Sequence, residues 1–79
     1  MALTGTVSSP QALGRLLQQA RLAQGLSQQE VAAQLGISQA YVSELEGGKT
    51  SLALTRVFDI MRLTGMTLRA EIPESPTDA

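Results

Sequence analysis

The sequence predicts an all-α domain of four to five helices, followed by one C-terminal β-strand that pairs across a dimer. Three observations predict it. Serine stands just before several apolar runs that recur at helical spacing, and glycine stands just after them. Two of those runs are short and are joined around a glycine, which is the pattern of a helix pair linked by a tight turn. The last run, from Met66 to Ile72, alternates apolar and polar residues, which is the period of a strand.

Ser9-Pro10 starts the first helix, with Ser as the cap and Pro at the first helical position. Leu13, Leu16, Leu17, Ala20 and Ala23 follow at helical spacing, and Gly25 stops the run. Gly14 inside this helix costs about 1 kcal/mol against Ala unless it permits close packing. Ser27-Gln28-Gln29-Glu30 is a capping box: the Ser side chain caps forward and Glu30 reaches back to the amide of the cap. The second helix runs through Val31, Ala32 and Leu35 to Gly36. Only Ile37 separates Gly36 from Ser38, which caps a third helix with Val42 and Leu45 inside and Gly47-Gly48 at its end.

Helices this short are marginal alone. They need the first helix and a later one, which begins near Ser51 and carries Leu54, Val57, Phe58 and Met61, with Ile60 widening the stripe and Gly65 as terminator. The strand that follows directs Met66, Leu68, Ala70 and Ile72 toward the helices, and Pro73 and Pro76 stop it. One strand cannot satisfy its own backbone groups. The only candidate partner in the chain is the weak segment Leu3-Thr4-Gly5-Thr6-Val7, so the simpler solution is the same strand of a second copy, antiparallel across a two-fold axis. The plan is a helical domain over 1–65 with its helix pair within 27–46, a dimerisation strand over 66–72 and a mobile acidic tail over 73–79.

Composition narrows the function. The 79 residues include no Cys and no His, which removes thiolate chemistry, disulfides, imidazole bases and the commonest metal ligands. Tyr41 and Phe58 are the only aromatics, too few to stack single-stranded bases. The expectation is a binding module with no catalytic residues, no metal and no cofactor. Net charge is −1, but residues 1–70 carry six bases against four acids, and the acidic remainder lies in the tail. A slightly basic body is compatible with nucleic acid, while a charge-driven DNA coater would need many more Lys and Arg. No stretch approaches a membrane span, and the N-terminus lacks a secretory pattern, so a cytoplasmic protein is expected.

The run Leu26-Ser27-Gln28-Gln29-Glu30-Val31-Ala32-Ala33-Gln34-Leu35-Gly36-Ile37-Ser38-Gln39-Ala40-Tyr41-Val42-Ser43-Glu44-Leu45-Glu46-Gly47-Gly48-Lys49-Thr50 resembles the helix-turn-helix of the phage repressor and Cro-type (Xre) family. With its flanking helices the resemblance covers about residues 10–65, and it implies a lambda-repressor-like fold. The family's small residue falls on Ala32, its turn glycine on Gly36 and its inner apolar pair on Val42 and Leu45. In this motif the second helix of the pair enters the DNA major groove. Gln39 is then placed for a bidentate contact with adenine, Ala40 for a thymine methyl, and Glu44 either for a cytosine amino group or for keeping the face from binding indiscriminately. Ser38, Tyr41 and Ser43 border the same face. Gln28, Gly48, Lys49 and Thr50 are candidate phosphate clamps. Arg21 and Glu46 match positions that the family commonly joins as a structural ion pair.

Three further features are similar to the HipB-type antitoxins: the opening Ser9-Pro10-x-x-Leu13, the Gln39-Ala40 start of the recognition helix, and Leu54-Thr55 with Phe58-Asp59-Ile60. That resemblance implies a homodimer on a palindromic operator of double-stranded DNA, autoregulation of the operon, and a HipA-type kinase toxin as partner. Two alternatives stand beside it: a stand-alone Xre regulator without a toxin, and a protein-interaction module that has lost DNA binding.

Overall fold

Each helix forms where a serine oxygen can take up an amide that the helix leaves open. Ser9 Oγ accepts from the Ala12 amide at 3.0 Å, Ser38 Oγ from Tyr41 at 3.0 Å and Ser51 Oγ from Leu54 at 3.2 Å. Ser27 and Glu30 cap reciprocally, both at 3.0 Å. The amide of Ser27, donating to Glu30, holds that carboxyl below its ordinary value. The chain is described here by a computed structural model over residues 3–74; the end of the expected tail, 75–79 with Asp78, lies outside the described residues.

In order, the elements are β1 (Leu3–Thr6), α1 (Pro10–Ala23), α2 (Gln28–Leu35), α3 (Gln39–Glu46), α4 (Leu52–Thr64) and β2 (Arg69–Ile72). Gly36 ends α2 in the left-handed region, at φ +69°, and turns the chain directly into α3. Gly14 has a different task. It is buried, and a Cβ on it would lie 2.5 Å from the carbonyl oxygen of Glu46 and 2.7 Å from that of Leu45. The end of α3 therefore rests directly on the backbone of α1, and only glycine leaves room for it.

The core is built from two places. Ala32 and Val42, each 5% exposed, are the buried residues of α2 and α3. Val7, Phe58 and Met61 form the main cluster, with Leu13, Leu16, Leu54 and Ala70 packed against it. Val7 comes from the segment Leu3–Val7, whose sequence carries only a weak strand signal.

The expected start of the C-terminal strand is corrected. The strand begins at Arg69, three residues later than Met66, because the Met66 amide donates to the Met61 carbonyl at 3.1 Å and completes the helix end behind Gly65. Met66 and Leu68 are about half exposed, while Ala70 and Ile72 turn inward. Within the chain, β2 pairs antiparallel with β1, from Leu3 opposite Ile72 to Thr6 opposite Arg69. The Val7 amide extends the ladder to the Leu68 carbonyl at 2.8 Å. One edge of β2 is thus paired with the chain's own N-terminal segment, Leu3–Val7, the intramolecular candidate.

Candidate nucleic-acid interface

The site is anchored from below. Arg21 on α1 grips the Glu46 carboxylate with two nitrogens, at 2.6 and 3.0 Å, and donates a third bond to the Leu26 carbonyl at 2.8 Å. Both side chains are about nine-tenths buried. Hydrogen bonding to Arg21 holds the Glu46 carboxyl below its ordinary value, against the opposing effect of burial, and the same bond raises Arg21. The pair clamps the end of α3 to α1, over Gly14.

A relay leads outward from that clamp. The Gln28 amide nitrogen donates to Glu46 Oε1 at 3.0 Å, and the Gln28 oxygen accepts from Gln39 Nε2 at 3.4 Å. Gln28, expected as a phosphate clamp, has its amide engaged on both sides. It braces Gln39. Gln39 itself is exposed at the first turn of α3, with its amide oxygen and one N–H free of partners among the described residues.

Val42 fixes α3 from beneath, so Gln39, Ala40 and Ser43 all lie on its exposed side. Ser38 is exposed, but its oxygen serves as the cap of α3. Tyr41 stands on the flank nearer α4, 47% exposed. Glu44 forms an ion pair with Lys49, and that carboxylate raises the Lys49 ammonium above its ordinary value. The described structure thus brings the expected readout residues to one surface, with Gln28 just behind it.

The loop after α3 departs from expectation. Gly48 is buried, with φ at +95°, and its amide donates to the Leu45 carbonyl at 3.1 Å; the Lys49 amide donates to the Glu44 carbonyl at 2.9 Å. Neither amide is open to a phosphate, because both are used to finish α3. Lys49 and Thr50 present exposed side chains instead.

Sequence reading missed Ser51. With Tyr41, Leu45, Lys49, Thr50 and Leu54 it lines a recess of about 230 Å³ between α3 and α4. The amides of Leu52 and Ala53, at the start of α4, have no acceptor among the described residues, as expected for the first turn of any helix. The capping signal at Ser51 was visible; its position beside Lys49 required the fold.

No described helix is long and apolar enough to cross a membrane. A family model described as helix-turn-helix matches residues 17–70, which include the anchor, the relay and the exposed face. No curated protein and no solved structure matches the chain.

Proposed function

The chain belongs to the Xre-type helix-turn-helix family of DNA-binding regulators, and from that membership we propose that it is a sequence-specific repressor, a HipB-type antitoxin that binds a palindromic operator as a homodimer and controls its own operon. The observation that carries the DNA reading is the exposed start of α3. Gln39 is held by Gln28, which is held by the Arg21–Glu46 clamp, so its amide meets a base edge with part of its orientation already fixed. Ala40 and Ser43 share that surface. Lys49, Thr50 and the first amides of α4 supply the backbone contacts that set register on the duplex.

The homodimer is supported by what the single chain leaves uncovered. Val57, Ile60 and Leu63 are exposed on α4, and Met66 and Leu68 follow them. Two recognition helices related by a two-fold axis enter successive major grooves about one helical turn apart. The antitoxin reading and its HipA-type kinase partner rest on the resemblance of Ser9-Pro10, Gln39-Ala40 and the α4 residues, together with a short strand directly after α4.

A mobility shift with duplex DNA from upstream of the chain's own reading frame, at about 0.1 M salt, tests the repressor. A discrete complex that survives excess mixed-sequence competitor is expected. Binding equal to the competitor's would overturn sequence-specific repression. Co-purification of the untagged operon tests the partner: a kinase-length product that elutes with the chain supports the antitoxin, and a neighbouring region without such a reading frame leaves a stand-alone repressor.

A further inference from the structure

Residues 38–51 contain a single cation, Lys49, and it is tied to Glu44 twice. The carboxylate of Glu44 holds its ammonium, and the Lys49 amide donates to the Glu44 carbonyl at 2.9 Å. The loop cannot readily carry Lys49 elsewhere. Gly48, next to it, is buried at φ +95° with a Cβ position only 3.0 Å from the Cα of Gln11, so the loop is seated on the first turn of α1. Both side chains of the pair are substantially exposed, at 65% and 41%, where an ion pair adds little to folding stability. Its effect is on what the surface meets. A carboxylate on the exposed side of α3 opposes any polyanion, and it neutralises the one charge in the segment that would attract it.

We propose that Glu44 is a specificity-determining residue of this interface. By holding Lys49 it suppresses binding to arbitrary duplex, and it yields Lys49 to a phosphate only where the groove offers its carboxylate the amino group of a cytosine. The proposal rests on the DNA reading above. On a mismatched sequence, moving Lys49 to a phosphate leaves the carboxylate facing the duplex with no donor. On a matched one, the N4 amino group of cytosine takes over as donor to the carboxylate and offsets the release of Lys49. Discrimination thus comes from a repulsive group as well as from attractive contacts.

The test uses the full chain and duplexes enriched by it from a random pool, compared with mixed-sequence duplex between about 0.05 and 0.3 M salt. Glu44→Gln is expected to raise affinity for mixed-sequence duplex by about five- to tenfold and to steepen its log–log salt dependence by about one. The ratio of enriched to mixed binding shrinks accordingly. The gain disappears in Glu44→Gln/Lys49→Ala, since the released lysine carries it. Thermal melting of each variant reports folding separately. Mixed-sequence affinity within twofold of wild type, or a gain that survives removal of Lys49, overturns the proposal. If the wild-type chain enriches no sequence, the DNA reading falls and this inference with it; enrichment with an unchanged salt slope in Glu44→Gln refutes this inference alone.

Discussion

Gln39 carries the sharpest expectation at the scale of single residues. Its amide is the last link of a relay that starts on α1, so truncation removes the proposed base contact without disturbing the core. Gln39→Ala is expected to weaken binding to an enriched site by about 1–3 kcal/mol and to relax base choice at one position per half-site. Equal losses on enriched and mixed-sequence DNA would refute the role. Glu46 lies at the other end of the relay, where the effect is on folding. Its carboxyl is held low by Arg21, so the unfolded chain binds the proton more readily than the folded one. The stabilisation is complete above the ordinary carboxylate value, about 4.3, and is lost as pH falls through the lower folded value. Denaturant titrations between about pH 3 and 7 should therefore show a shallower acid loss in Glu46→Gln than in wild type. At neutral pH the same variant should be about 2 kcal/mol less stable, since it leaves the mostly buried Arg21 without its counter-charge. Side-chain identities at this site were legible because the helix-turn-helix pattern is position-specific. The Glu44–Lys49 pair was not, because five residues across a helix end is not a facing distance on any regular helix.

Helices were legible at the scale of elements for a local reason. A capping serine and the amide three residues on lie within the first turn, and a terminating glycine lies just past the last, so the signal for each helix start or end is local and needs no tertiary partner. The strand β1 had no such signal. Four residues with a glycine among them show no usable alternation, and what makes Leu3–Thr6 a strand is β2, more than sixty residues away in sequence. The boundary of β2 moved for a related reason: alternation includes Met66, but the backbone there closes α4. Gly14 shows the reverse case, in which local propensity argues against the residue and packing requires it. Gly14→Ala would gain about 1 kcal/mol of helix propensity. It would also drive a methyl into the Leu45 and Glu46 carbonyls, which have no side-chain freedom with which to yield. A net loss of about 1–3 kcal/mol is expected, read as a lower denaturation midpoint with an unchanged slope. A stabilised variant would mean that α3 can lift from α1 without cost.

Charge and apolar surface together decide how the whole molecule works. The described residues carry six bases and six acids, and Arg21, Lys49, Arg56 and Arg62 are all engaged in ion pairs. Such a chain gains little from the phosphate backbone, so one recognition helix on one half-site cannot hold DNA tightly. In the proposed homodimer two helices act as a unit, so the dimer contact is there part of the binding mechanism. The structure offers two surfaces for it: the open edges of the β1–β2 sheet, and α4, whose buried side carries Phe58 and Met61 while its outer side still shows Val57, Ile60 at 60% exposure and Leu63 at 87%. A helix apolar on both sides is one whose outer side is also meant to be covered. Ile60→Glu places a charge there without entering the core, so the monomer fold should survive, with its helical circular dichroism unchanged. Mass measurement at micromolar concentration should then fall from two chains to one, and affinity for the operator should drop toward that for mixed-sequence duplex. A dimer that persists in Ile60→Glu would shift the contact to the sheet edges, where substitution by proline of Thr4 or Arg69, whose amides alternate out of the β1–β2 ladder, becomes the discriminating experiment.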